Sequence, residues 1–522
     1  MSSLMDMCQP PPPADCVSVM EKDGEMKFVE SKSDSEFVSI EKYPEVLVSR
    51  DHTRATSQRE NIKSAFIPAD RTVWQRALLA WQEHGLPEAF EEIVNSKDEV
   101  HPVAASGASA LLRLLRTCNS LSGSLFPHMS LSNEELVIKY AEVAGWDESP
   151  VHAFAWHPHT TKFALALQDD SVHVHYAGST LTPVLKHKFQ KCVAHLAWQP
   201  LSASVLAVAC QSAVLIWHIE PTSLAARPST SSVQVLQHRG HCPVTHLAWD
   251  PAGKLLLSAS STDTAIMAWN VPSESCTPLR YIGGGGFTLL AWSPDGDRVM
   301  AAAPSTIFRV WETVSWNCEV WSQLSGRCTS ACWSHDGEVL LFSMEEESVL
   351  HAVKFNTHHQ ASVEAGFAPA TLPPEGSSGA STANVVADLS EVVLTSQDGE
   401  GVKVGGFVHQ MVWNRTSERL AVLFKGTDNR ISPYVAIFKT TVHPLVQVLP
   451  SGFVKGHAGE VPHHISFQPS FDKGALLTAV WSSGRVSYVP MYFVLEEQIG
   501  SFQFQSSSLN GHGIRRLYTD LM

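Results

Sequence analysis

The sequence contains no stretch rich in lysine and arginine, and its formal net charge is −15. Phosphate backbones are held by clustered cations, so this balance argues against direct nucleic-acid binding. No apolar run is long enough to span a bilayer. The longest, SVLAVAC and AVLIW within 204–217, are interrupted by Gln211 and Ser212. The opening MSSLMDMCQPPPPADC has neither a basic region nor an apolar core, so no secretory signal is expected. The ten cysteines show no framework spacing and no Cys-x-x-Cys pair. Reduced thiols in a cytosolic or nuclear compartment are therefore expected. The four-glycine run at 283–286 is not followed by Gly-Lys-Ser/Thr and leads into FTLLAW, a strand pattern. It reads as a turn rather than a phosphate loop.

What is present is a pattern that recurs. Residues 244–270, VTHLAWDPAGKLLLSASSTDTAIMAWN, alternate apolar and polar residues up to a Trp. They turn at Asp250-Pro251-Ala252-Gly253, alternate again, and end on a second Trp. Three such strands bury too little to stand alone, which directs attention to copies. Aligned on the first aromatic, the copies centre on Trp156, Trp198, Trp249, Trp292, Trp333, Trp413 and Phe467, spaced 42, 51, 43, 41, 80 and 54 residues apart. Third strands follow as SVHVHY, AVLIWH, AIMAWN, IFRVWE, SVLHAV, YVAIFK and RVSYVP. A period near 40–45 with a Trp-Asp-like ending is the WD40 signature, one four-stranded blade per repeat.

The predicted fold is therefore mainly β, a seven-bladed WD40 β-propeller over 147–495. Closing the ring needs a strand from one chain end. MYFVLEEQIGSFQFQ (491–505) and CVSVMEKDGEMKFVE (16–30), a hairpin around Asp23-Gly24, are both candidates, and the sequence leaves the choice open. Residues 1–69 read as a mostly flexible extension apart from that hairpin, and 70–146 as a helical segment. There Val73, Trp74, Ala77, Leu78 and Trp81 share one face, and the last helix opens on a Ser132…Glu135 capping box and runs to Gly145. The Pro/Gly/Ser-rich insert 356–382 reads as a disordered loop, and 496–522 as a tail.

Candidate chemistry is sparse. His241, Asp263 and Trp269, with Ser258 or Ser260 between, have the composition of a catalytic triad. In resembling repeats, however, such residues form a buried hydrogen-bond chain, and a strand serine lacks the exposed oxygen and oxyanion site a nucleophile needs. The other blades lack the set, with Gln211 and Ser305 at the Asp position of blades 2 and 4. His152, His157 and His159 cluster around one strand and turn without converging partners, and Cys328 and Cys332 are too far apart to chelate together. An enzyme working in the central channel would need acidic or histidine residues around one mouth, and the strand positions do not display such a ring. No catalytic, cofactor-binding or metal residue, and no cofactor, is expected. PPPP (10–13) reads as a spacer, and NRT (414–416) as an unused glycosylation sequon.

The strings AFAWHPHTTKFALALQDDSVHV (153–174), LAWQPLSASVLAVACQSAVLIW (196–217), GSLFPHMSLS (123–132) and FQPSFDKGALLTAVWSSGRVSYVPMYFV (467–494) include turns and loops that the fold does not dictate. They resemble the aladin family of WD-repeat nucleoporins over roughly 60–495. The resemblance implies a non-catalytic scaffold of the nuclear pore complex at the nuclear envelope, acting in nucleocytoplasmic transport. It also implies other nucleoporins as partners, including a transmembrane nucleoporin that anchors the chain, and a mitotic role with spindle and centrosome proteins, in the cytoplasm and at spindle poles. The alternative is a WD40 substrate receptor of a ubiquitin ligase. Such receptors carry Trp-Asp-x-Arg after the third strand, whereas here the third-strand tryptophans Trp217, Trp269 and Trp311 are followed by His218, Asn270 and Glu312.

Overall fold

The computed structural model describes residues 2–30 (without 14 and 23), 43, 46–48, scattered positions within 73–113, and 131–493 apart from 177–181, 220–227, 230–232, 281–284, 323 and 356–382. The insert at 356–382 and the tail from 496 therefore lie outside the described residues.

Seven antiparallel blades stand around one axis. Their inner strands are Val151–Trp156, His195–Trp198, Val244–Trp249, Leu289–Trp292, Cys328–Trp333, Phe407–Trp413 and Pro462–Phe467, and each ends on an aligned aromatic. Second strands such as Val205–Ala209, Leu256–Ser260 and Val339–Met344 are buried at every residue. Neighbouring blades cover both their faces, which is why their sequences read as continuous apolar runs rather than alternation. The long gap between Trp333 and Trp413 holds the insert and the fourth strand of blade 5, Asn384–Asp388. A separate hairpin, Val392–Thr395 with Gly401–Val404, also falls within that gap. In the glycine run, a Cβ on Gly286 would stand 2.3 Å from the Ser261 carbonyl carbon, so the backbones approach too closely there for any side chain.

The ring is closed by the N-terminus. Cys16–Lys22 lies parallel to the third strand of blade 7, Arg485–Tyr492, with Glu21 opposite Met491, and Glu25–Glu30 folds back along its outer edge. Val46–Leu47 pairs antiparallel with the other end of the same strand, at Val486 and Arg485. Beyond Tyr492 the alternative closing segment leaves only Phe493 among the described residues, and that residue is not in a strand.

The N-terminal residues continue as a strap over the last three blades. Ser2 and Ser3 pair parallel with Ala387 and Asp388 of blade 5. Leu4 is fully buried among side chains of blades 4 to 6. The proline run is not a spacer. Lys455 Nζ donates to the Pro13 carbonyl at 2.7 Å, Ser396 Oγ to Pro11 at 3.1 Å and Tyr434 Oη to Pro12 at 3.5 Å. Proline offers no N–H but leaves its carbonyl free, so a proline ribbon can dock through acceptors alone.

One ion pair locks this arrangement. Glu21, with no exposed side-chain surface, receives Arg419 of blade 6 through Nε at 3.2 and 3.1 Å and through Nη2 at 2.7 Å. Arg419→Ala strands a buried carboxylate, so it is expected to cost about 3–5 kcal/mol, read as a lowered urea midpoint. A loss under about 1 kcal/mol, the range of a surface pair, would mean that this contact does not hold the ring shut.

Candidate functional site

The aligned aromatics form a relay between blades. The indole N–H of Trp198 donates to Ala155 O at 3.2 Å, Trp249 to Ala197 O at 3.2 Å, Trp292 to Ala248 O at 3.3 Å and Trp333 to Ala291 O at 3.0 Å. Each acceptor is the residue just before the preceding blade's own tryptophan. Trp156 joins blade 1 to blade 7 through Thr478 Oγ1 at 3.0 Å. Trp413 departs from the pattern and donates to Thr440 Oγ1 of its own blade at 2.8 Å. Between blades 5 and 6, Ser330 Oγ instead accepts from the Met411 amide at 3.0 Å. Phe467 has no N–H, and there Gln410 Oε1 accepts from the Ile465 amide at 3.0 Å. Every seam therefore carries a polar stitch.

His241, Asp263 and Trp269 do meet, and Ser258 is the serine between them. Trp269 Nε1 donates to Ser258 Oγ, which lies 2.8 Å from His241 Nε2, while His241 Nδ1 lies 2.8 Å from Asp263 Oδ2. Burial alone would raise the Asp263 carboxyl, but the bonds from His241 and the Ala265 amide hold it below its ordinary value. Ser258 has no exposed surface and both partners engage its oxygen, so the chain is a strut. Asn414 of the sequon is likewise internal, its Oδ1 accepting from the Glu418 and Arg419 amides.

One mouth of the ring is plugged. The helix Asn133–Tyr140 opens on the Ser132…Glu135 capping box. It ends at Tyr140, five residues before Gly145, because the chain beyond it is drawn into the blades. His409 Nε2 meets Glu142 O at 3.2 Å, the Ala144 amide donates to His463 O at 2.8 Å, and Trp146 Nε1 donates to Val193 O at 3.3 Å. Trp146 also stacks on His152 at 3.7 Å. Upstream, Val73 and Ala77 are buried in a small cluster with Ile93 and Ala108, while Trp74 stands 61% exposed, so the apolar stripe read from the sequence is narrower than expected.

Beneath the plug lies what the strand patterns did not display. His152, His195, His246, His409 and His464, from five blades, gather around the channel with Glu142. His195 and His246 stack at 4.0 Å, and His195 Nε2 is 3.6 Å from Glu142 Oε2. Gln410 Nε2 bonds His464 Nδ1 at 3.1 Å. The expectation of no histidine ring at a mouth is thus corrected. In the aligned repeats these residues stand three or four positions before the aromatic, and in five of the seven inner strands a β-bulge falls at the fourth. A bulge re-aims side chains, so simple alternation assigns them to the wrong face. Of the histidines considered as ligands from the sequence, His152 joins this group. His157 instead meets Ser202 O at 2.9 Å and the His159 amide at 3.1 Å. Cys328 and Cys332 are free thiols, and burial pushes the first up to about 12 and the second further above its ordinary value.

Burial pushes His152, His195 and His409 down to about 4 and His464 to about 3, so the ring is neutral at physiological pH. It pushes the Glu142 carboxyl up to about 7, against a hydrogen bond from Gln410. The Glu142 side chain keeps 35% exposure, so solvent moderates that push. A cavity of about 760 Å³ opens beside the helix, lined by Tyr140, Glu142, His246, Arg327, His409 and Lys425 among others. Neutral imidazoles and one carboxyl can relay protons or ligate a cation. None of the described serines at this mouth is poised as a nucleophile, Ser330 Oγ being engaged with the Met411 backbone.

Comparison with known proteins gives the chain a family context. A family model described as the Aladin seven-bladed propeller matches residues 132–492. Aladin of Arabidopsis thaliana is 28% identical over 381 residues, covering 68% of this chain and 79% of that protein. The WD repeat and HMG-box DNA-binding protein 1 of Xenopus laevis is 28% identical over 155 residues, which span 28% of this chain and 13% of that protein. A chain in a crystal structure of the mitotic checkpoint complex matches with TM-score 0.46 and 15% identity, covering 66% of this chain and 90% of its own.

The relay predicts a graded response. Trp249→Phe keeps the ring but removes the indole bond to Ala197 O, whose residue stays paired with Ala207 in the strand ladder, and is expected to cost about 1 kcal/mol. Trp249→Ala also opens a cavity and should cost about 3–5 kcal/mol. Equal losses in urea titrations would remove the indole bond from the account. The histidines predict acid sensitivity. Their folded pKa values lie below the unfolded value, so their contribution is full above about pH 6.5 and fades as pH falls towards 4, by up to about 1.4 kcal/mol per unit for each. Glu142 has the opposite sign, its contribution fading as pH rises from about 4.5 to 7. Four histidines outweigh one carboxyl, so the melting temperature should drop steeply from pH 6.5 to 5, and less so in His409→Asn. A flat profile would contradict the burial of these rings.

Proposed function

Because the chain belongs to the Aladin seven-bladed propeller family, we propose that it is a non-catalytic scaffold and adaptor subunit of the nuclear pore complex that supports nucleocytoplasmic transport. In this reading a transmembrane nucleoporin anchors it at the nuclear envelope. Other nucleoporins dock on its turns and rims, and spindle and centrosome proteins engage it in mitosis. The family match across 132–492 carries the proposal. The internal engagement of the polar groups supports it, since the hydroxyl of Ser258 and the indoles of the relay act within the ring. A closed ring with exposed turns on two faces suits simultaneous docking of several proteins. Among the described residues no helix is long and apolar enough to cross a membrane, so the anchor in this reading is a partner.

The test is live-cell imaging of the fluorescently tagged chain beside a Trp249→Ala, Trp292→Ala variant. A punctate nuclear rim that the variant loses is the expected outcome. Diffuse signal from the intact chain, or co-purification with a cullin adaptor in place of nucleoporins, would overturn the proposal.

A further inference from the structure

The plugged mouth holds a group of side chains that the scaffold role leaves unexplained. Glu142 comes from the linker after the helix, His195 from blade 2 and His246 from blade 3. One ligand atom from each lies within 4.8 Å of the others. The two imidazoles stack face to face at 4.0 Å and an interplanar angle of 27°, and the carboxylate oxygen reaches to 3.6 Å from His195 Nε2. Nδ1 of both rings is buried without a hydrogen-bond partner among the described residues. Buried imidazole nitrogens are ordinarily satisfied, so two stacked rings that each keep an orphaned Nδ1, one of them with its Nε2 facing a carboxylate, need a reason. Protonation does not supply one, because burial holds both rings below their ordinary pKa and His195 further opposes a charge on His246. What they offer is lone pairs.

We propose that Glu142, His195 and His246 bind one divalent transition-metal ion, Zn²⁺ by the chemistry of the ligands, at the floor of the mouth cavity. Two neutral imidazoles and a carboxylate are a Zn²⁺ ligand set, with donors about 2.0–2.2 Å from the ion, and reaching that geometry requires the two rings to tilt out of their stack so that their in-plane lone pairs converge. The fourth position faces the cavity of about 760 Å³, which also gives the ion its way in. Outer contacts hold the carboxyl-bearing segment. His409 Nε2 meets Glu142 O at 3.2 Å, and the Gln410 side chain, which bonds the Glu142 carboxyl, is itself fixed by the Ile465 amide at 3.0 Å. The ion would tie the linker to blades 2 and 3 and so pin the plug in the ring. In a second acidic and histidine group, Asp336, Glu338 and His443, only the histidine is exposed, and its Nε2 already bonds Asp336 Oδ2 at 2.7 Å. This group serves as the internal control.

The experiment is calorimetric titration of the full-length, chelator-stripped chain with ZnCl₂, with Co²⁺ visible absorption as a geometric readout. One equivalent with tetrahedral Co²⁺ bands is expected. Affinity should fall about tenfold or more in Glu142→Gln and in His195→Asn, and stay unchanged in His443→Ala. Metal should raise the melting temperature of the wild type and of His443→Ala only. Glu142→Gln preserves side-chain shape, so a matching metal-free melt separates lost ligation from lost folding. Absence of saturable binding by the wild type would overturn the proposal, as would binding that survives both ligand substitutions or disappears in His443→Ala.

Discussion

A closed ring is only as strong as its weakest seam, and here each seam is stitched by a buried hydrogen bond close to the axis. Four consecutive tryptophans reach back to the carbonyl before the preceding tryptophan, and a fifth reaches a threonine of the last blade. A single indole bond contributes only about 1 kcal/mol net, so the strength of a seam comes from that bond together with the apolar surface the ring buries. The large apolar ring and its one donor therefore do two tasks together. They bury surface between blades and set the angle at which the next blade stands. Where the tryptophan is turned inward, as at Trp413, or replaced, as at Phe467, other side chains take over: Ser330 at one seam and Gln410 at the next.

That constraint makes the closure decisive. Residues 16–22 occupy the outer edge of the last blade in a parallel sense, and the strap before them crosses blades 5 and 6 through buried Leu4, the proline carbonyls and the Glu21–Arg419 pair. The strands joined at this closure, 16–22 and 485–492, lie more than four hundred residues apart in sequence. Loop-closure entropy for such a contact must be met before its reward arrives, which places the joining of the ends late in folding.

Much of this was legible from residues alone. The seven blades follow from aromatics repeating at near-constant spacing between alternating runs, and the His241–Asp263–Trp269 chain from residue types at fixed offsets. The closing strand was not, because residues 16–30 and 491–505 both read as strands, and what singles out 16–22 is its pairing with 485–492 and the burial of Glu21 against Arg419. The helix stops at Tyr140 rather than Gly145 because tertiary bonds, His409 Nε2 to the Glu142 carbonyl and the Ala144 amide to the His463 carbonyl, replace helical continuation, and no local signal marks them. PPPP looked like a spacer because its contacts run through backbone carbonyls, which carry no side-chain signal. The channel histidines stand three or four places before five of the seven aromatics, yet in most of these strands a bulge changes their facing, and a strict period of two hides that.

The histidine-lined mouth and the stitched seams belong to one design, in which polar groups face inward and bond within the ring while turns and rims remain for partners. Its central claim is that the N-terminal strand is an integral part of the last blade. Native-state hydrogen exchange read by mass spectrometry on the intact chain tests it directly. The account predicts that amides of 16–22 are protected and exchange together with those of 485–492, through the same opening event. Exchange of 16–22 at the rate of an unstructured peptide, while 485–492 stays protected, would contradict it.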